Sequence, residues 1–203
     1  MTIIAISHQI GSGGREIGKL VADKLGVSYI DREIVEGVAQ RLGISEADAT
    51  QMDEKAEHLA DQIFAGFRLQ VAGYAAQINP GDMVDIPTYQ EATQGVLATV
   101  ASYPSVVIAG HGANFFLAKR PALFSVFIYA AAANRIERLK KRAIISQEEA
   151  AKELHVSDGE RAHYIKTLYH ANWRDPDHYH LLINTDKISL ETAANLIIKV
   201  VKA

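Results

Sequence analysis

At the N-terminus a short apolar run breaks directly into a glycine-rich turn and then into an amphipathic helix, and this order constrains the fold more than any other stretch. Thr2-Ile3-Ile4-Ala5-Ile6-Ser7 reads as a buried strand, His8-Gln9-Ile10-Gly11-Ser12-Gly13-Gly14 as a loop, and Arg15 onward as a helix. A helix start carries unpaired backbone N–H groups and the positive end of the helix dipole. Glycines let the backbone curl around an anion with no side chain in the way. The combination predicts a phosphate-binding loop.

The usual loop of this kind, G-x-x-x-x-G-K-[ST], ends in a lysine for the phosphates and a hydroxyl for magnesium. A formal match, Gly13-x-x-x-x-Gly18-Lys19, is followed by Leu20 and would consume the helix that carries Ile17 and Leu20. Lys19 therefore reads as a solvated helix residue. In the better register the loop starts right after Ser7, the lysine position falls near Gly14 and the hydroxyl position near Glu16. Gly11, Ser12, Gly13, Gly14, Arg15 and Glu16 are then the candidate phosphate cradle. Arg15 sits where its guanidinium can reach back over bound phosphates, and Glu16 is the one candidate for a metal, through water.

The rest of the chain alternates short β-branched runs with helical segments. Strands are expected at Thr2–Ser7, Val27–Ile30, Ser105–Ala109, Leu123–Tyr129 and His180–Asn184. Helices are expected at Arg15–Leu25 (stopped by Gly26), Arg32–Leu42, from Ser45, Thr88–Tyr103, a short turn through Leu117, Ala132–Arg142, Ser146–Leu154, Ser157–Tyr169 and Ser189–Lys202. Strands separated by helices imply a parallel sheet covered on both faces, an α/β fold in one domain over 1–203. Residues 45–88 are rich in Ala and Gln, with Asn79-Pro80-Gly81-Asp82 and Ile86-Pro87 as turn signals. They read as helical hairpin material outside the sheet, either a substrate-binding flap or a packing or dimerisation element, which leaves a homodimer open.

Composition narrows the function classes. The net charge is −3 over 203 residues, so no broad basic surface speaks for nucleic acid, and any anion site must come from local arginines. There is no cysteine, hence no disulfide or thiolate metal site. No apolar run reaches membrane-spanning length and no signal peptide is evident, so a soluble cytoplasmic protein is expected. His163, His170, His178 and His180 lack the spacing of a zinc site. Arginines do cluster, with Arg135, Arg138 and Arg142 in one helical run and Arg161 in Asp158-Gly-Glu-Arg161. Phosphoryl transfer needs such cations around the transferring group.

Together these residues resemble the cytidylate kinase-like family of P-loop nucleoside monophosphate kinases. The carrying stretches are Ser7-His-Gln-Ile-Gly-Ser-Gly-Gly-Arg-Glu-Ile17, Tyr29-Ile-Asp-Arg-Glu33, Gly110-His-Gly-Ala-Asn114, Asp158-Gly-Glu-Arg161 and Tyr179-His-Leu-Leu-Ile-Asn-Thr-Asp186. The resemblance implies a P-loop NTPase-type three-layer sandwich with a five-stranded parallel sheet. It also implies a helical monophosphate-binding insertion over 45–88 and a helical lid over 135–165. The implied activity is transfer of the ATP γ-phosphoryl to a nucleoside monophosphate, with Mg2+. Arg138 and Arg142 would belong to the lid, Asp158 would hold the acceptor's ribose, and Arg161 would grip its phosphate. Asp31 would open the monophosphate-binding segment, with Arg32 beside it; His111, in the turn where the family carries an arginine, is either a phosphate contact when protonated or a structural turn residue.

Four positions depart from the better-known cytidylate kinases. Their G-R-D turn is Gly110-His111-Gly112 here, the arginine six residues after the Asp31 position is Gly37, and the arginine four before Asp158 is Leu154. A site that reads a base through hydrogen bonds discriminates only when those partners exist. A nucleotide-binding regulatory protein on the same fold is the rival expectation, and an unrelated β-α binding protein a third.

Overall fold

The computed structural model describes residues 2–47, 49, 50 and 86–202, and its element order is the alternation expected from the sequence. Five strands, β1 (Thr2–His8), β2 (Ser28–Ile30), β3 (Ser105–Ala109), β4 (Leu123–Tyr129) and β5 (Leu181–Asn184), form one sheet in the order β2-β3-β1-β4-β5. Every pairing is parallel, with Ile4 opposite both Val107 and Phe124. The sheet is central because β1 is apolar on both faces: Ile3, Ile4, Ala5 and Ile6 are all buried.

The chain divides into two units, residues 1–31 with 99–203 and residues 32–98. In the first unit, α1 (Gly14–Leu25) and the C-terminal α7 (Leu190–Val201) cover one face of the sheet. Ile17, Val21, Ala22, Ala193, Ala194 and Ile197 meet Ile4, Ile6, Val126, Ile128 and Ile183 there. On the other face Phe127 packs with Trp173, Tyr179 and Ile165. The Trp173 indole donates to Ser7 Oγ at 2.7 Å, and the Tyr179 hydroxyl donates to the Trp173 carbonyl at 2.6 Å. Burial pushes the Tyr179 phenol up to about 12, so it remains a donor across the working pH range.

In the second unit α2 (Glu33–Leu42) and α3 (Ile86–Val100, whose last two residues fall in the first unit) are the described helices, with residues 46, 47, 49 and 50 also helical. A Cβ at Gly37 would lie 3.1 Å from Val96, so helix packing fills the space where the better-known cytidylate kinases carry an arginine. Most of the expected 45–88 insertion lies outside the described residues.

Two expectations need correction. Ile86-Pro87 is the first turn of α3 and not a break before it, because a proline in the first helical turn sacrifices no helical hydrogen bond. Ser146–Leu154 and Ser157–Tyr169 are one helix, α6 (Gln147–Tyr169), with α5 (Ala132–Ala143) before it and the short α4 (Ala113–Phe116) after β3. The capping box at Ser146 and Glu149 opens α6 as expected. Ser157 and Asp158 look like a second cap, yet their side chains are buried within a continuous stripe that includes Ala150 and Ile165. Among the described residues no helix is long and apolar enough to cross a membrane.

Replacing Tyr179 by Phe leaves the Trp173 carbonyl buried without its donor. Urea unfolding is expected to lose about 1–3 kcal/mol at unchanged m-value; a loss near zero would mean that the bond does not hold this face together.

Candidate functional site

The loop between β1 and α1 is a turn in which side chains would collide. Gly11 and Gly13 have φ of 73° and 88°, the left-handed region. A Cβ at Gly11 would lie 2.8 Å from the Arg135 carbonyl, one at Gly13 2.4 Å from Leu190, and one at Gly14 2.2 Å from the His8 Cβ. Gly13 caps α1 with no side-chain hydrogen bond, and the first helical bond runs from the Ile17 N–H to the Gly13 carbonyl. The N–H groups of the opening turn therefore have no helical acceptor.

These N–H groups border a small cavity of about 50 Å³ lined by His8, Ile10, Gly11, Gly13, Gly14, Arg15, Glu16, Arg142 and Arg161. Three guanidinium groups and a helix N-terminus against one carboxylate make a lining suited to an anionic group such as a phosphate. Arg15 Nε also pairs with Asp31 at 3.0 Å, with more than half of the Arg15 side chain in solvent. Asp31 is buried while Arg15 is solvated, so the arginine is the partner placed to turn toward another anion. Tyr29 donates its hydroxyl to Asp31 at 3.2 Å, and burial, with that carboxylate, raises the phenol's pKa. Arg142 is exposed and has no hydrogen-bonding or ionic partner among the described residues. Arg161 Nη1 donates to the His8 carbonyl at 2.7 Å.

The remaining candidates have other surroundings. Ser12 is buried, and its hydroxyl donates to the Gln9 and Ile128 carbonyls at 2.7 and 3.1 Å, away from the cavity. Arg138 holds the loop from behind: its Nη1 donates to the carbonyls of Gly11 and Ser12 and, at 2.8 Å, to Thr185 Oγ1, while Nη2 donates to the Thr185 carbonyl at 2.6 Å. Asp158 is only 5% exposed. It accepts from Arg135 at 2.9 and 3.1 Å, from Arg174 at 3.0 Å and from Gln9 at 3.3 Å. His111 lies in a turn whose three residues all have positive φ, with Tyr164 and Tyr169 packed on Gly112. Arg32 is exposed at the N-cap of α2, in the second unit. Lys19 is exposed in the second turn of α1.

Sequence reasoning missed His8, Gln9 and Arg174. Gln9 had a signal, since it falls inside the loop motif. His8 had one too, as a polar residue at the end of an otherwise apolar strand. Arg174 gave none, because a turn arginine is ordinarily solvated. The His8 imidazole is enclosed, and its Nδ1 has no partner among the described residues. Burial holds its pKa well below the usual 6.5, and Arg161 and Arg15 lower it further.

A model of the cytidylate kinase-like family matches residues 3–187. The chain belongs to this family. Among solved structures it is similar to an uncharacterized protein from Eubacterium ventriosum, with 20% identity, a TM-score of 0.72, and 100% and 99% of the two chains covered. It is also similar to shikimate kinases from Bacteroides thetaiotaomicron (15% identity, TM-score 0.54, coverage 100% and 99%) and Acinetobacter baumannii (15%, 0.53, coverage 100% and 93%). These likenesses give the family member the fold of P-loop kinases. No curated protein matches the sequence.

Two outcomes test this arrangement. Asp158→Asn leaves the buried Arg135 guanidinium without its counter-charge and is expected to lose about 3–5 kcal/mol in urea unfolding; a loss under about 1 kcal/mol would contradict the buried pair. His8 gives a pH dependence of opposite origin. Below its ordinary pKa of about 6.5 the unfolded chain binds a proton that the folded chain does not. Stability therefore falls as pH drops from about 6.5 toward the depressed folded value, and thermal melts of His8→Asn are expected to lose that slope.

Proposed function

We propose that this member of the family is an ATP-dependent kinase that moves the γ-phosphoryl group to a nucleoside monophosphate, with cytidylate as the first acceptor to try. The observation that carries the reading is the uncapped start of α1 facing Arg142 and Arg161 across one cavity. A phosphate chain held by backbone N–H groups leaves its terminal group near cations on α5 and α6, which is what in-line transfer requires. Membership of a cytidylate kinase-like family supports the same reading.

The glycines fit a loop curled around the phosphates of ATP, because a Cβ at Gly11, Gly13 or Gly14 would collide with Arg135, Leu190 or His8 and force the tight turn open. Glu16, exposed at the cavity, suits Mg2+ held through water, since this ion keeps several waters beside one or two carboxylates and the substrate's own phosphates. Bound there, Mg2+ would neutralise charge on the transferring group. Arg15 would leave Asp31 for the phosphates, and Arg142 and Arg161 would stabilise the charge that spreads over the equatorial oxygens. Asp31, Arg32, His111 and Asp158 are the acceptor-side candidates.

A second reading, a regulatory nucleotide-binding protein, draws on a specific observation. Asp158 and Arg138 spend their hydrogen bonds inside the protein, on Arg135, Arg174, Gln9, Thr185 and the loop carbonyls. Both readings require nucleotide binding and differ in turnover.

Purified protein with ATP and Mg2+ is expected to form ADP with one nucleoside monophosphate well above the rest of a panel. Arg142→Ala should melt within about 0.5 kcal/mol of the wild type while turnover falls about 100-fold or more. ATP binding without acceptor-dependent ADP formation would favour the regulatory reading, and no nucleotide binding would sink both.

A further inference from the structure

The lysine of the usual phosphate-binding loop is missing from this chain, and the space explains why. The Cβ of any residue at position 14 would come within 2.2 Å of the His8 Cβ and 2.4 Å of its Cγ, closer than such atoms ever sit. A lysine at position 14 and a side chain at position 8 are mutually exclusive as the backbone stands. The chain has taken the second option, and the side chain placed there is a base. The His8 imidazole stands beside the N-terminus of α1 and lines the cavity with Arg15, Arg142, Arg161 and Glu16. Its Nδ1 is enclosed without a hydrogen-bond partner among the described residues, a condition costly enough that such a group normally finds one.

We propose that His8 replaces the missing lysine: when phosphate groups enter the cavity, its imidazole takes up one proton from solvent and meets them as a cation. This rests on the nucleotide-binding reading above. It makes the cation conditional on the ligand, where a lysine would be charged throughout.

The surroundings explain the switch. The charged and titratable groups that face the ring are Arg161 on α6, Arg15 on α1 and, more weakly, His111 in the turn after β3; Arg142 and Glu16 share its cavity. Without a ligand, burial and the two guanidinium groups keep the ring neutral. A phosphate carries negative charge into the same space, cancels the repulsion and offers an acceptor for the new N–H, so each of the opposing influences weakens at once. Binding and protonation are then linked, and affinity falls as pH rises above the value at which the unliganded ring titrates.

Isothermal titration of wild-type protein with MgATP at pH 7, in two buffers of different ionisation enthalpy, reads the proton directly. The wild type is expected to take up a sizeable part of one proton more than His8→Asn. That variant should bind about tenfold or more weakly, because it loses a charge-assisted contact, with a flatter pH profile. His8→Lys, whose Cβ keeps its place, should recover affinity with no uptake. Equal uptake and equal affinity in wild type and His8→Asn would overturn the role of His8 while leaving nucleotide binding intact. Failure of wild-type protein to bind MgATP would overturn both. Should His8→Asn not fold, the wild-type imidazole is followed by NMR with inorganic pyrophosphate at pH 7. A shift of its ring resonances to the charged position supports the proposal, and unmoved resonances under saturating pyrophosphate overturn it.

Discussion

The Asp158 carboxylate has been taken out of water, and much of the site follows from how its charge is answered. An isolated buried carboxylate would be prohibitively unstable, so its partners must be in place whenever the chain is folded. Those partners come from α5 (Arg135), from the turn after α6 (Arg174) and from the loop after β1 (Gln9). Arg135 continues to the Ile10 carbonyl, and Gln9 accepts from the Ala130 N–H. One turn along α5, Arg138 takes the Gly11 and Ser12 carbonyls. Because the C=O and N–H of a trans peptide point in opposite directions, holding the Ile10 and Ser12 carbonyls inward turns the Gly11 and Gly13 N–H groups the other way. Buried ion pairing thereby orients the loop's donors before any ligand arrives.

The three loop glycines answer to three different neighbours. Gly11 is pressed by the backbone of α5, Gly13 by Leu190 at the start of α7, and Gly14 by His8 at the end of β1. The loop is thus gripped by α5, by α7 and by its own strand. A loop held this way has little conformational freedom left to lose on binding, which is the usual source of strong anion sites built from weak individual donors.

Much of this organisation is legible in the sequence. The five strands are short β-branched runs between longer helical segments, and length with β-branched content separates the two. The long α6 is not legible, because Ser157, Asp158 and Gly159 carry every local mark of a helix boundary. Arg135, Arg174 and Gln9 together hold Asp158 inward, within a helix that runs through. The arginines divide in a similar way. Sequence brings Arg138 and Arg142 to one helical face, yet Arg138 lies against carbonyls and Arg142 against the cavity, and no spacing rule separates a structural guanidinium from an available one. Packing also sets Gly37, whose missing arginine reads in the sequence as a lost charge and in the fold as room for Val96.

The contrast between the two ends of the proposed transfer then has a physical origin. In the proposed reading the phosphate end would rely on backbone donors, which any sequence supplies once the glycines and the buried ion pairs fix their direction. The acceptor end would rely on side chains that read a particular molecule, and where the better-known relatives carry an arginine and a base-reading aspartate this chain has His111 and Gly112. A polar group that is absent cannot reject the analogue that would have left it unpaired, so hydrogen-bond discrimination weakens at those positions. Gly112 cannot regain a side chain cheaply, since Tyr169 and Tyr164 would lie within 2.9 and 3.2 Å of its Cβ. The aromatic packing of α6 against this turn therefore fixes the departure from the cytidylate pattern as firmly as Asp158 fixes the loop.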